Sequence, residues 1–259
     1  MNAIQTTTSA LAAAAIGTAA VAGTTVLDFE NVNHGDVVNN QYPGVTISAD
    51  NQNNDIDVAV AFDSELFPSF DPDQTFPWTT GNLAPGTRLG NILVIQDNNG
   101  PVIDGTVENP HNEGDRPAGS LTFDFDEDIT FFGLDVTDVE GPTEFQTDSG
   151  FNLRFFLDGV EVADLAFGEL VTPGNNFYDP SIVFGDNSAN RISPVTVDLL
   201  NNHGFNVTAF DSVIVSLGGS GAVDNIVFGT GEPTGVPTPS AAIAGLALLG
   251  LTIRRRRNA

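Results

Sequence analysis

Short segments in which apolar and polar residues alternate fill the chain between residues 23 and 229. An alternation with a period of two places the apolar side chains on one face of a strand, and clusters of Gly, Pro, Asn and Asp between the segments supply turns. No part of this region keeps the apolar period of about 3.6 residues that a helix needs. The pattern therefore predicts about ten to twelve short strands. The predicted strands lie within residues 25–30, 44–49, 57–62, 91–96, 120–141, 152–167, 181–185, 195–200, 210–217 and 222–229.

Two turn sequences predict hairpins. Asp158 and Gly159 stand between apolar runs, and an Asp-Gly pair is typical of a type I′ turn. A Gly/Ser segment at 218–221 joins the last two predicted strands and predicts a second hairpin. Many short strands without helices favour two packed antiparallel sheets, so we predict an all-β jelly-roll β-sandwich over residues 23–229. The absence of an internal repeat of fixed period disfavours a propeller or a solenoid.

Charge is distributed very unevenly along the chain. Of its eight basic residues, all arginine, four stand together as Arg254–Arg257, against 34 acidic residues and a net charge of −26. The chain before that cluster repels nucleic acid, because phosphate binding needs Lys and Arg. Such a surface suits divalent cations, a high-salt solvent or simple solubility instead. There is no cysteine and hence no disulfide, so the fold must be stabilised by its core, by metal ions or by both.

The chain carries no motif that indicates a catalytic mechanism. Its three histidines are far apart, and it has no P-loop, dinucleotide fingerprint or His-metal spacing. The segment Gly218–Ala222 approaches a nucleophile elbow, but a predicted strand follows where that motif needs a helix. We therefore expect a non-enzymatic protein. The alternative is an extracellular polysaccharide hydrolase, which needs only two suitably spaced carboxylates.

The first 22 residues predict a signal peptide with an apolar helix. Residues 9–23 form an uncharged run of small apolar residues. Ala20 and Ala22 fit the small-x-small pattern that signal peptidase recognises, which predicts cleavage after Ala22. The alternative is an Ala-rich helix buried in the fold.

The C-terminus has three parts: a Pro/Gly linker over 230–237, an apolar run over 240–253 that predicts a helix, and the Arg254–Arg257 cluster. The apolar run is about 21 Å long as a helix, short of a bilayer core of about 30 Å. Cationic residues behind an apolar segment stay on the cytoplasmic side and leave the body outside. The alternatives are an amphipathic tail or an RNA-binding patch.

The order of these three parts resembles the PEP-CTERM sorting signal of exported bacterial proteins. The residues that carry the resemblance are Val236, Pro237, Thr238 and Pro239, the apolar run, and Arg254, Arg255, Arg256 and Arg257. Thr238 stands where that family most often has Glu. The resemblance implies a sorting segment over 238–259 that an exosortase-like membrane enzyme processes. It implies a secreted or cell-surface protein, anchored transiently or permanently through its C-terminal helix.

A candidate calcium site pairs the two ends of the predicted sandwich. First and last strands commonly lie side by side in such folds, which would bring Glu30 close to Asp224. Calcium takes about six to eight oxygen ligands from carboxylates, carbonyls and amides. Asn31, Asn33 and Asp36 follow Glu30 and have the required oxygens. The alternative is that these are ordinary solvated or turn-capping side chains.

The body also resembles extracellular carbohydrate-binding-module-like jelly rolls. The segments "LDFENVNHGDVVNNQYPGVTIS" and "GSGAVDNIVFG" are similar to their opening and closing strands. The resemblance implies a structural calcium held by an acid after the first strand and an Asp in the last.

A polysaccharide ligand would need exposed aromatic rings on loops, since rings stack on sugar faces. Asp/Asn/Pro-rich residues 64–88 and 97–117 predict long surface loops. The candidate stacking residues are Trp78, Tyr42 and Tyr178, with Phe70 beside them. The acids of 124–140 alternate with Phe and are interpreted as the solvated face of a strand.

Overall fold

The computed structural model describes residues 23–69, 71–84, 86–97, 100–110, 112, 116–140 and 151–234. The predicted signal peptide, with Ala20 and Ala22, lies outside the described residues. So do Phe70 and the sorting residues Val236–Pro239 and Arg254–Arg257. Among the described residues, no helix has the length and apolar character needed to cross a bilayer.

Two antiparallel sheets form the body, and their strands are numbered along the chain. The first sheet contains β1 (Thr24–Leu27), β3 (Ala59–Asp63), β4 (Asn91–Ile95), β8 (Phe131–Thr137), β11 (Ala189–Thr196) and β13 (Ala222–Gly229). Its order is β11-β8-β13-β4-β3, and β1 also pairs with β13.

The second sheet has the order β10-β9-β12-β7-β2. Its strands are β2 (Val45–Asn51), β7 (Gly119–Ile129), β9 (Asn152–Leu157), β10 (Val160–Ala166) and β12 (Phe210–Leu217). A small ribbon pairs β5 (Val102–Ile103) with β6 (Thr106–Val107), and the helices are α1 (Phe167–Val171), α2 (Val197–Asn202) and a 3-10 turn at Pro72–Gln74.

The main core lies between the sheets and uses phenylalanine heavily. Strand β7 shows how the alternating pattern builds it: Phe123 and Phe125 are buried while Asp124 and Asp126 are exposed. Phe132 lies against both of these rings, with ring centroids 5.7 and 6.3 Å away. The all-β sandwich predicted from the period-two pattern is confirmed.

A second, smaller apolar cluster covers the other face of the first sheet. On β3 the side chain of Ala61 belongs to the main core, while its neighbour Phe62 belongs to the second cluster. Residues 64–90, which we call the covering segment, supply Leu89 to this cluster and pack Trp78 and Leu83 against it. The predicted long loop at 64–88 thus closes the outer face of the sheet, which explains why β3 and β4 are apolar on both faces.

Several local predictions are confirmed. β9 and β10 form the hairpin predicted from Asp158 and Gly159, whose φ angles of 52° and 75° fit a type I′ turn. The first and last strands pair as expected, with Leu27 opposite Ile226.

Other local predictions are wrong. The strand predicted over residues 181–185 does not form. The strand predicted over residues 195–200 ends at Thr196, and residues 197–202 form α2 because Thr196 caps that helix by accepting a hydrogen bond from Leu199 N. The predicted hairpin at 218–221 does not form, since β12 and β13 belong to different sheets.

Candidate metal site at the first and last strands

The candidate site lies where β13 changes partners. Strand β8 pairs with one edge of β13. The other edge is shared by β1, which ends at the Leu27–Ile226 pair, and β4, which begins to pair at Leu93–Val223. Asp224 and Asn225 therefore lie between the two partner strands, where the ladder on that edge is interrupted.

Asp224 is buried there with an unsatisfied carboxylate oxygen. Its residue exposure is 1%. Oδ2 accepts a hydrogen bond of 2.7 Å from Asn225 Nδ2, but Oδ1 has no hydrogen-bond donor among the described residues. Burial raises the pKa of Asp224 well above its usual range, and the charges of Asp135, Glu30 and Asp28 raise it further.

Glu30 is positioned by the start of β4. Its Oε1 accepts a hydrogen bond of 2.8 Å from Asn91 N. A Cβ atom on residue 90 would lie only 2.0 Å from that oxygen, so Gly90 leaves room for the carboxylate. Asp28 belongs to the same turn, because its Oδ1 accepts a hydrogen bond of 3.3 Å from Glu30 N.

Tyr42 lies near the same three acids. Tyr42 packs against Phe29 with ring centroids 5.7 Å apart, and its hydroxyl donates a 2.5 Å hydrogen bond to Asn31 Oδ1. Burial raises the pKa of Tyr42 to about 12, and the charges of Asp28, Asp224 and Glu30 contribute. The three carboxylates thus act on one phenol, as expected if they share a small region.

The arginine in the same cross-strand row as Asp224 is already paired with another acid. Arg191, Asp135 and Asp224 form one cross-strand row over β11, β8 and β13. Arg191 binds both carboxylate oxygens of Asp135 at 2.7 Å. Asn225 Nδ2 links Asp135 and Asp224 at 3.0 and 2.7 Å. Asp224 forms no ion pair within the described part of the chain.

The predicted ligand set is brought together in part. Glu30 and Asp224 lie at the interrupted ladder. Asn33 and Asp36 instead form their own turn, in which Asp36 Oδ2 accepts hydrogen bonds from Asn33 N and Nδ2 at 2.8 and 2.9 Å. No described hydrogen bond joins either of them to Asp224.

Three contributors were missed by the sequence interpretation: Asp28, Asn91 and Asn225. Asp28 had a usable signal, since it stands two residues before Glu30 within the strand predicted over residues 25–30. In the described ranges, no three Asp, Glu, His or Cys side chains form a metal-binding group. A cation here would therefore take most of its ligands from amide oxygens, backbone carbonyls and water.

The candidate sugar-stacking residues do not form a common platform. Trp78 is half-buried against the second cluster, and its indole N–H donates to Thr87 O at 3.2 Å. Tyr42 packs against the main core. Tyr178 is 38% exposed. No ring contact between described residues joins two of the three.

A cleft of about 320 Å³ opens at one end of the sandwich. Phe125 and Phe228 lie in its lining with their centroids 4.7 Å apart. Its three acids, Asp126, Glu127 and Asp128, are consecutive on β7, and its other lining residues are uncharged. The acids therefore come from one strand and do not face each other across the cleft, as paired hydrolytic carboxylates would.

Comparison of the chain with protein-family models, with curated proteins and with solved structures finds no match. The class that the fold itself defines is an all-β sandwich with an acidic, partly unsatisfied site between its first and last strands.

Proposed function

We propose that the protein is an exported, non-enzymatic component of a bacterial cell surface or extracellular matrix, and that calcium stabilises its β-sandwich at the Glu30–Asp224 site. The observation that carries the calcium proposal is the buried Oδ1 atom of Asp224, which has no donor among the described residues. An ionised carboxylate in such a place is costly unless it is paired or binds a metal.

Calcium fits the donor set. It is a hard cation that prefers carboxylate, amide and carbonyl oxygens. Asp224 and Glu30 would supply the charge, and the amide oxygen of Asn225, backbone carbonyls and water would supply neutral ligands. Binding would offset the mutual repulsion of these acids. It would also join the first and last strands in a chain that has no disulfide.

The proposed architecture is a jelly roll. The chain passes repeatedly from one sheet to the other, for example from β7 to β8 and from β12 to β13. Such passages between two antiparallel sheets are typical of the paired Greek keys of a jelly roll.

The proposed destination rests on the two chain ends. Signal peptidase would remove residues 1–22. An exosortase-like enzyme would process the segment 238–259, which holds the body at the membrane until then or permanently. The 30 excess negative charges before the Arg cluster suit an extracellular, cation-rich setting and oppose nucleic-acid binding.

The proposed ligand of the body is a polysaccharide, and the acidic cleft is the favoured place for it. Carboxylates of Asp126, Glu127 and Asp128 would accept hydrogen bonds from sugar hydroxyls, while Phe125 and Phe228 supply an apolar floor. This moves the proposed binding surface away from Trp78, which packs inward.

Thermal unfolding of the full-length chain tests the calcium proposal. Calcium should raise the melting temperature of the wild type, because an ion that binds only the folded state stabilises it. Asp224→Asn should reduce this increase. Asp124→Asn, at an exposed position on β7, is the matched control and should keep it. Equal calcium responses in all three proteins, or none in the wild type, would contradict the proposal.

A further inference from the structure

A second group of buried polar side chains lies where the covering segment meets the end of β8. We call it the Asp138 cluster. Each member has an exposure of 9% or less. Its members are Asp71, Gln74, Asn112, Thr137, Asp138, Asn187 and Ser220.

Asp138 is the centre of this cluster and is held by neutral donors. Its Oδ1 accepts a hydrogen bond of 2.7 Å from Asn187 N. Its Oδ2 accepts one of 2.7 Å from Ser220 Oγ and a longer one of 3.5 Å from Gln74 Nε2. Gln74 is oriented in turn by Thr137, whose hydroxyl donates to Gln74 Oε1 at 2.5 Å. No described Arg binds Asp138.

Two amide oxygens of the cluster are buried without a donor. Asn187 Nδ2 donates to Asp73 O and Thr75 O at 3.0 and 2.8 Å, and Asn112 Nδ2 donates to Gly221 O. These bonds fix which end of each amide carries the oxygen. The Oδ1 atoms of Asn187 and Asn112 then have no donor among the described residues.

The two asparagines connect to Asp138 through short chains of contacts. Asn187 bonds to it directly through its backbone N–H. Asn112 bonds to Gly221, the neighbour of the Ser220 that bonds Asp138. Buried acceptors without donors need a water or a cation, and both asparagines belong to the cluster that contains the buried Asp138 carboxylate.

The residues around the Asp138 cluster carry negative charge. Burial raises the pKa of Asp138 to about 7, and the charges of Asp73 and Glu140 contribute. Asp186 acts in the same direction on Asp73. Arg116 lies at the rim, where it pairs with Glu140 at 2.7 Å.

We propose that the Asp138 cluster is a second binding site, for a hard divalent cation of the calcium class, with the Asp138 carboxylate and the amide oxygens of Asn187 and Asn112 among its ligands. All of these donors are oxygens, which such a cation prefers. The proposed ligands come from the end of β8, from the 186–188 loop and from Asn112, and Gln74 of the covering segment contacts Asp138. A bound ion would therefore stabilise the junction between the covering segment and the sheet.

Equilibrium dialysis of the full-length chain with radioactive calcium separates this site from the Glu30–Asp224 site. Asp138→Asn should lose one bound ion that Asp224→Asn retains, and the exposed Asp124→Asn should bind as the wild type does. Loss of all binding in Asp224→Asn alone would overturn the second site and keep the first. Loss of all calcium binding in Asp138→Asn alone would support the second site and overturn the first.

Hydrogen–deuterium exchange of the wild-type chain covers the case in which Asp138→Asn fails to fold. Calcium, compared with a chelator, should slow exchange at the amides of residues 71–75 and 186–188. Protection confined to residues 28–31 and 224–225, or no protection, means that the cluster holds only water and overturns the proposal.

Discussion

Arg191 and Asp135 are joined across strands β11 and β8 by two hydrogen bonds of 2.7 Å, from Nε to Oδ1 and from Nη2 to Oδ2. The Asp135 side chain is completely buried, and that of Arg191 is 18% exposed. This pair stands in the same row as Asp224. Arg191 neutralises Asp135 and leaves the adjacent buried acid, Asp224, without an arginine partner among the described residues.

Arg191→Leu should destabilise the fold strongly. It leaves the buried Asp135 carboxylate without its cation, and breaking a buried pair from one side costs about 3–5 kcal/mol. Arg154→Leu is the matched control, because the Arg154–Glu161 pair is exposed and such pairs contribute at most about 1 kcal/mol. Urea unfolding of both variants measures the difference. Equal losses would show that the Asp135 pair has no special structural role.

Gly81→Ala should displace the covering segment. The φ angle of Gly81 is +114°, and a Cβ atom there would lie 1.9 Å from Ala189 O on β11. Gly86→Ala is the control, since its φ of +92° is similarly unfavourable but nothing lies within 4 Å of its Cβ. The control should lose about 1–2 kcal/mol, and Gly81→Ala should lose clearly more.

The chain has one tryptophan, and Trp78 packs within this segment, so its fluorescence reports the displacement directly. A red shift is expected for Gly81→Ala and not for Gly86→Ala. The same emission maximum in both variants would mean that Gly81 is not required for the close contact with β11.

His34 should make stability fall in mild acid. Burial lowers its pKa below 6.5, against the opposing charge of Asp63, and its Nδ1 accepts a hydrogen bond of 3.0 Å from Asp63 N. The folded state therefore favours neutral His34. Its contribution is full above pH 6.5 and is lost as the pH falls through the folded-state pKa.

Unfolding free energies of the wild type and His34→Asn between pH 7 and 5 measure this contribution. Asn can still accept the hydrogen bond but does not titrate, so the wild type should lose more stability over this interval. Parallel curves would assign the pH dependence to other groups.

In the proposed export pathway, the Arg254–Arg257 cluster should retain the chain at the membrane. Changing all four to Ser should release more full-length protein or reverse its orientation, because the positive charges oppose passage through the bilayer. Changing them to Lys keeps the charge and should keep retention. Cell fractionation with protease accessibility measures both. Unaltered retention of the Ser variant would contradict the orienting role.

The alternating pattern correctly predicted which side chains of the second sheet are exposed, but it failed for the outer face of the first sheet. On β7 it separates buried Phe123 from exposed Asp124, because that face of the second sheet meets solvent. On β8 the same interpretation assigns Asp135 and the nearby Asp138 to solvent, yet both are buried. The covering segment closes that face, and a contact between residues so distant in sequence leaves no local periodic signal.

The candidate metal site, too, could be predicted from the sequence only in part. The pairing of β1 with β13 was predictable from general sandwich topology, so the placement of Glu30 and Asp224 at the same strand junction could be expected. Asn91 was not, because it acts through its backbone N–H, which every residue except proline carries. Asn33 and Asp36 are three residues apart and satisfy each other locally, a competing arrangement that composition alone does not exclude.

Strand β13, which leads toward the proposed tether, is bonded along both edges, to β8 on one side and to β1 and β4 on the other. Beyond it, Thr234 N donates to Thr24 Oγ1 at 3.1 Å. Drag on a body held by its C-terminus would thus be spread over several ladders at once instead of unzipping a marginal strand. A tether that leaves the body from an interior strand is therefore mechanically reinforced.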